Sequence, residues 1–111
     1  MTPKVFKFSL VYQNDGKKVE FGELIFNGKY IFQLNYGVDI DAWDKFGIIS
    51  VDRSTRRRES DELFPYINAR LPIHLRNGTK AEKVEYIKAN GLKVPSDSFY
   101  FEQKLINVKS L

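Results

Sequence analysis

The chain divides around one segment, Ser60-Asp61-Glu62-Leu63-Phe64-Pro65-Tyr66-Ile67-Asn68-Ala69-Arg70-Leu71-Pro72. Ser60 is a typical N-cap, and acidic side chains follow it at the positive end of the helix dipole. Apolar residues then recur at helical spacing, at Leu63, Tyr66, Ile67 and Leu71. Pro72 ends the helix, and Pro65 shortens or bends it because proline removes a backbone hydrogen bond. We therefore predict one short helix over 60–72, between a strand-rich half and a helix-rich half.

Before this segment the apolar residues alternate, which is typical of half-buried β-strands. Residues 4–13 place four apolar side chains on one face, at Phe6, Phe8, Leu10 and Tyr12. A turn follows at 14–16, and a second strand is predicted over 19–26. The apolar face of this strand changes side at Gly22, which predicts a β-bulge there.

Asn27-Gly28 predicts a β-hairpin, because both residues tolerate the positive φ of a type I′ turn. A third strand over 30–36 follows, with one apolar face made of Tyr30, Phe32, Leu34 and Tyr36. Three consecutive strands form a meander whose aromatic face needs a cover. The later helices are the available cover.

Three shorter elements are predicted between the meander and the Ser60 segment. A helical turn over 39–45 carries Trp43, and a short strand covers 47–51. Residues 52–59 contain no apolar side chain to anchor them. We therefore predict a mobile, basic loop over 52–59.

The C-terminal part predicts two further helices. Thr79 and Glu82 form a capping box for an amphipathic helix that extends to Ala89 and ends in an αL cap at Asn90-Gly91. Pro95-Ser96 opens a last helix, whose buried candidates include Phe99, Leu105 and Ile106. The predicted fold is a single α+β domain over 1–111: a small antiparallel β-sheet, a meander with barrel-like closure as a variant, followed by three short helices.

Composition limits the classes of function. The chain has 111 residues, 42% of them apolar, which is enough for one folded domain. It has no Cys, so disulfides and thiolate metal sites are excluded. No apolar run approaches the roughly 18 residues that span a bilayer, and we expect a cytoplasmic protein. The net charge of +4 is compatible with nucleic acid, an acidic partner, or solubility alone.

Side chains that carry catalytic chemistry are sparse, and we expect no enzyme activity, cofactor or metal site. His74 is the one imidazole, and its spacing supports no triad or zinc motif, so an ordinary surface role is favoured. Asp39, Asp41 and Asp44 supply oxygens for a cation but lack the remainder of an EF-hand loop. A solvated acidic turn with helix-start charges is the favoured interpretation.

Arg56-Arg57-Arg58 leaves two interpretations open. The cluster binds a polyanion or an acidic protein, or it only keeps an exposed loop solvated. Arg57-Arg58-Glu59-Ser60 also resembles an acceptor site for a basophilic kinase, although Ser60 has a sufficient role as a cap. Trp43 likewise is either a core residue or an exposed interface anchor, since charged residues surround it in sequence.

The order of several short motifs resembles the N-terminal subdomain of the HipA family of toxin kinases, and more closely its stand-alone version, the HipS proteins. Phe21-Gly22-Glu23-Leu24 is similar to the family's VGEL element, and a hairpin and strand follow at 27–34 as they do there. Gly47-Ile48-Ile49-Ser50-Val51 resembles a later strand. Residues 63–72 are similar to a helix of the subdomain that ends in Leu-Leu-Pro, with Arg70 in place of the first leucine, and the resemblance extends roughly from the first strand to Phe99.

The resemblance implies a function by binding. In that family the catalytic residues lie downstream of this subdomain, so it implies an antitoxin subunit that binds a HipT-like serine/threonine kinase toxin. A HipB-like DNA-binding protein would be the third component of such a complex. The candidate partner-binding residues are Trp43, Phe46, Arg56, Arg57, Arg58, Phe64 and Arg70.

A second hypothesis is a small nucleic-acid-binding module that uses the aromatic side chains of the sheet and the basic loop. Stacking platforms combine aromatic faces with positive grooves. Alternation in the strands argues against it, because it predicts that the aromatic face is covered by helices.

Overall fold

The structure, a computed structural model, describes residues 5–93 and 98–104. The elements in chain order are β1 (Phe6–Asn14), β2 (Lys17–Phe26), β3 (Tyr30–Leu34), α1 (Ile40–Phe46), β4 (Arg57–Ser60), α2 (Pro65–Asn68), α3 (Ile73–Arg76), α4 (Lys80–Asn90) and β5 (Phe99–Lys104). The strands form one antiparallel sheet in the order β4-β3-β2-β1-β5. The predicted α+β fold is confirmed. The sheet has two edges and is open, so the barrel-like variant is wrong.

The bulge in β2 explains why the apolar pattern changes side at Gly22. Leu10 of β1 pairs with Gly22, and the next residue, Val11, pairs with Glu20. Phe21 is therefore the extra residue, and both halves of β2 turn their apolar side chains to the same face of the sheet. The predicted bulge is confirmed.

The hairpin between β2 and β3 is present, but its turn differs from the predicted type I′. Phe26 pairs with Tyr30, which leaves a three-residue loop over 27–29. Gly28 has a φ of 103°, whereas Asn27 is not among the residues with positive φ. Type I′ geometry needs positive φ at both central residues. Asn27 instead uses its Oδ1 to accept from the backbone N–H of Lys29.

One face of the sheet carries the core. Its central rings include Phe32, on which Trp43 of α1 stacks with a centroid distance of 5.5 Å and an interplanar angle of 13°. Helix α4 adds Val84 and Ile87, and the segment around α2 adds Ile67. On the other face, Lys104 pairs with both Glu20 and Glu23, and Lys18 pairs with Glu102. The aromatic face of the meander is therefore covered by helices, as predicted.

The single helix predicted over 60–72 is wrong, although its apolar pattern is correct. Ser60 lies in β4 opposite Tyr30, and its Oγ accepts from the backbone N–H of Glu62. Helix α2 begins at Pro65, where a missing N–H costs nothing because the first helical N–H groups have no intrahelical acceptor. Pro72 then separates α2 from α3. The apolar residues of the segment are buried at Leu63, Phe64, Ile67 and Leu71.

The strand predicted over 47–51 and the loop predicted over 52–59 are both corrected. Gly47 ends α1 in the αL conformation, and Ile48 and Ile49 are buried without forming a strand. The polar residues 57–60 form edge strand β4, because pairing with β3 requires only backbone groups. The apolar residues 48–49 are therefore buried without regular secondary structure, and the polar residues 57–60 form an edge strand.

The C-terminal part contains one confirmed and one incorrect prediction. Helix α4 has the predicted Thr79–Glu82 capping box and ends at Gly91 with a φ of 75°. The predicted last helix is wrong at Phe99, because residues 99–104 form β5 and pair with β1. The predicted positions at 95, 96, 105 and 106 lie outside the described residues. In the described ranges, no helix combines the length and apolar character needed to cross a membrane.

Candidate functional site

Arg56 is a structural residue and does not extend into solvent. Its φ is 58°, and its Nη1 donates to the carbonyl oxygens of Asn35 at 2.8 Å and Val38 at 2.6 Å. Its own carbonyl accepts from the backbone N–H of Leu34. Arg56 therefore fastens the start of β4 to the loop between β3 and α1.

Arg57 and Arg58 are exposed, but they lie on opposite faces of the sheet because successive strand residues alternate. Nε of Arg57 lies 3.4 Å from a carboxylate oxygen of Glu59. Nη1 of Arg58 lies 3.4 Å from the carbonyl of Ser50. The three adjacent arginines thus point in three directions and do not form one basic patch.

A tight turn over 52–56 is held against α1. The carboxylate of Asp52 accepts from the backbone N–H groups of Ser54 and Thr55, each at 2.9 Å. The guanidinium of Arg53 bridges Asp41 at 2.6 Å and Asp44 at 2.8 Å on α1. These contacts replace the predicted mobile loop with an ordered turn.

The acidic residues of α1 have helix-start and ion-pair roles. Asp39 is the N-cap, and its Oδ1 accepts from the backbone N–H groups of Asp41 and Ala42. Asp41 lies in the first turn, as the favoured interpretation predicted. Across the residues that the structure describes, no group of three His, Cys, Asp or Glu side chains could hold a metal ion.

Acid is expected to loosen the 52–56 turn. Hydrogen bonds from the backbone of Thr55, and then from Ser54, lower the pKa of Asp52 from 3.8 to about 2. Because the folded pKa is the lower one, this stabilisation is complete above pH 3.8 and is lost as the pH falls through about 2. An NMR titration of the Asp52 carboxyl should find the lowered midpoint, with the Ser54 and Thr55 amide signals moving alongside it. A midpoint at the ordinary value would contradict the observed hydrogen bonds.

Trp43 is a core residue, and the expectation of an exposed anchor is wrong. Its side chain is 1% exposed, and its Nε1 donates to the carbonyl of Ile49 at 2.8 Å. Phe64, another predicted partner-binding residue, is also buried. Neither side chain can contact a partner unless the core opens.

Phe46 is the predicted site residue with the largest apolar exposure, at 47%. Its ring packs edge-on against Phe21 at 5.8 Å and Phe99 at 5.4 Å, so rigid aromatic rings support it from below. Beside it lies a cleft lined by Tyr12, Phe46, Ile48, Tyr66, Ser98 and Phe99, which we name the aromatic cleft. Val19, which is 46% exposed, is the strand partner of the lining residue Tyr12.

Arg70 braces the wall of the aromatic cleft. Its Nη1 donates to the carbonyls of Leu92 and Phe99, each at 2.9 Å, and its Nη2 donates to the Tyr66 hydroxyl at 2.5 Å. The guanidinium also lies over the Tyr66 ring, 4.7 Å from its centroid. Arg70 therefore joins α2 to the outer edge of β5.

Replacing Arg70 with lysine should destabilise the fold by about 1–2 kcal/mol, because one ammonium cannot reproduce a fork that serves two carbonyls and a hydroxyl. Urea unfolding measures the loss. Arg57→Lys is the matched control, since its one ion pair is exposed and 3.4 Å long. Equal free energies of unfolding for the two variants would contradict the proposed structural role of Arg70.

His74 and Ser60, the other residues that the sequence singled out, do not line the aromatic cleft. His74 is exposed in α3, as favoured, and Ser60 is committed to strand pairing. Sequence reasoning missed Tyr12, Ile48 and Tyr66 as site residues, because each reads as an ordinary apolar position of its own element. These three side chains come together only through tertiary packing, and no local sequence pattern indicates that they share a cleft.

The structure thus brings Phe46 together with new residues around the aromatic cleft. Arg70 supports this cleft, while Trp43 and Phe64 lie in the core and the side chains of Arg56, Arg57 and Arg58 diverge.

Comparison with known proteins identifies no family: no family model, curated protein or solved structure matches the chain.

Proposed function

We propose that the chain is a non-catalytic antitoxin subunit that binds and neutralises a HipT-like serine/threonine kinase in the cytoplasm, in a complex that includes a HipB-like DNA-binding protein. The observation that carries the proposal is the half-exposed Phe46 beside the aromatic cleft. Aromatic side chains, Phe among them, are enriched at protein–protein interfaces relative to the rest of the surface. The motif order described for 21–72 supports the choice of partner.

The proposed contact differs from one built on Trp43 and a mobile loop. Phe46 and Val19 would lose solvent on docking, and burial of apolar surface would supply most of the affinity. The 52–56 turn is clamped to α1, the helix that carries Phe46, through Arg53. A surface that is already ordered loses little conformational entropy when it binds a partner.

The test is a binding and activity assay with the kinase from the adjacent reading frame, one that lacks its own N-terminal subdomain. The purified chain should co-elute with the kinase in size-exclusion chromatography and should suppress phosphorylation of a protein substrate. Failure to co-elute, or unchanged kinase activity in a stoichiometric mixture, would refute the proposal.

The nucleic-acid hypothesis predicts a different result. It requires affinity for single-stranded nucleic acid that falls steeply with ionic strength, through counterion release. The diverging arginines and the helix-covered aromatic face give it no shared stacking and phosphate surface among the residues described. Filter binding of a single-stranded oligonucleotide at two salt concentrations separates the hypotheses.

A further inference from the structure

Tyr12, which lines the aromatic cleft, has a hydroxyl that can donate a hydrogen bond. The Tyr12 hydroxyl accepts from Nδ2 of Asn14 at 3.2 Å, which leaves its own O–H proton free to donate. Within residues 5–93 and 98–104 the structure gives that proton no acceptor. An acceptor supplied from outside would complete the hydrogen bonding of Tyr12.

One exposed lysine lies on the same face of the sheet as Tyr12. Lys17 pairs with Asn14, the residue whose Nδ2 donates to the Tyr12 hydroxyl, and it lies about 7 Å along β2 from Val19, the partner of Tyr12. Its ammonium has no ion pair in the described part of the chain.

Asp15 is the one acidic side chain in the turn between β1 and β2, and it forms no ion pair with Lys17 among the described residues. An exposed lysine and a free hydroxyl proton on one face of the sheet therefore favour an anionic group beside the apolar cleft.

We propose that the aromatic cleft receives an aromatic or branched aliphatic side chain of the kinase, flanked by a carboxylate that accepts from Tyr12 and pairs with Lys17. This inference rests on the proposed function for the identity of the partner. The apolar side chain packs against Phe46, Ile48 and Phe99. The charge beside the apolar side chain determines which segments of the kinase bind, because a basic neighbour at this position would face Lys17.

Two tripeptides test the chemistry without the kinase. The whole chain is titrated with acetyl-Glu-Phe-Glu-amide and with acetyl-Lys-Phe-Lys-amide while the NMR signals of Tyr12, Val19 and Phe46 are followed. We expect the acidic peptide to bind roughly tenfold more tightly, with shifts concentrated at these residues. Equal affinities, or shifts elsewhere on the molecule, would overturn the inference.

Variants assign the selectivity to named groups. Tyr12→Phe keeps the ring and removes the donor, and should reduce the preference for the acidic peptide about fivefold. Lys17→Glu should abolish the preference at low salt. Lys29→Glu, in the hairpin that joins β2 to β3, is the matched charge control and should leave it unchanged.

The same variants separate the two claims in the kinase assay. If the wild-type chain binds the kinase and Tyr12→Phe and Lys17→Glu bind equally well, the inference fails and the proposed function stands. If the wild-type chain does not bind the kinase, the proposed function fails whatever the peptides show.

Discussion

Replacing Gly22 with alanine is expected to destabilise the fold by about 3 kcal/mol, because a new methyl group would be forced into the packed centre of the sheet. A Cβ at this position would lie 2.5 Å from the backbone oxygen of Gln33 and 2.8 Å from the ring of Phe32. The backbone oxygen belongs to the β3 ladder and cannot move without breaking strand pairing. Chemical denaturation of the purified variant measures the loss.

Gly37→Ala is the matched control for this prediction. A Cβ at Gly37 would meet nothing within 4 Å, and its φ lies outside the left-handed range. We expect its stability to be within about 0.5 kcal/mol of the wild type, or slightly higher. If the two alanine variants were equally stable, the bulge would not have the close approach to β3 that the structure shows.

Trp43→Ala is expected to lower the free energy of unfolding by about 3–5 kcal/mol. The substitution removes a fully buried ring that stacks on Phe32 at 5.5 Å and leaves a cavity between α1 and the sheet. It also leaves the buried carbonyl of Ile49 without its indole donor. Because a typical domain is stable by only about 5–15 kcal/mol, this loss threatens folding itself.

A second variant separates ring packing from the hydrogen bond of Trp43. Trp43→Phe keeps an aromatic ring and loses the donor, so its cost should be smaller, about 1–3 kcal/mol. Loss of kinase binding by Trp43→Ala would reflect unfolding, and near-ultraviolet circular dichroism of the free variant would reveal it. A folded, wild-type-like Trp43→Ala protein would contradict the buried position.

The sequence patterns predicted the strands of the meander because each local signal agreed with its tertiary surroundings. The alternation of β1, the phase change at Gly22 and the capping box at Thr79 each have a direct structural counterpart. Each of these patterns depends on only one or two adjacent elements. The structures that they indicate can therefore be predicted without knowing how the core is packed.

The incorrect predictions concern residues whose conformation depends on a distant partner. Ser60 has the chemistry of an N-cap, but β3 supplies a backbone edge that keeps it extended. Phe99 fitted a helical spacing, whereas β1 offers an unpaired edge that accepts it as β5. Local propensity is overridden in both places by strand pairing across long sequence separations.

The candidate site was only partly predictable for the same reason. Charged neighbours made Trp43 look exposed, yet a helix turns successive residues to different sides, so a buried Trp among charged residues is ordinary. Phe46 was identified, but Tyr12, Ile48 and Tyr66 come from three separate segments. Only the folded chain brings them to one cleft.

The most direct measurement is the affinity of the kinase for Phe46→Ala compared with Ile73→Ala. Both side chains are apolar and exposed, at 47% and 78%, and Ile73 lies outside the aromatic cleft. If Phe46 anchors the docked kinase, its loss should weaken binding roughly thirtyfold, about 2 kcal/mol, while Ile73→Ala binds as the wild type does. Equal affinities for the two folded variants would contradict the account.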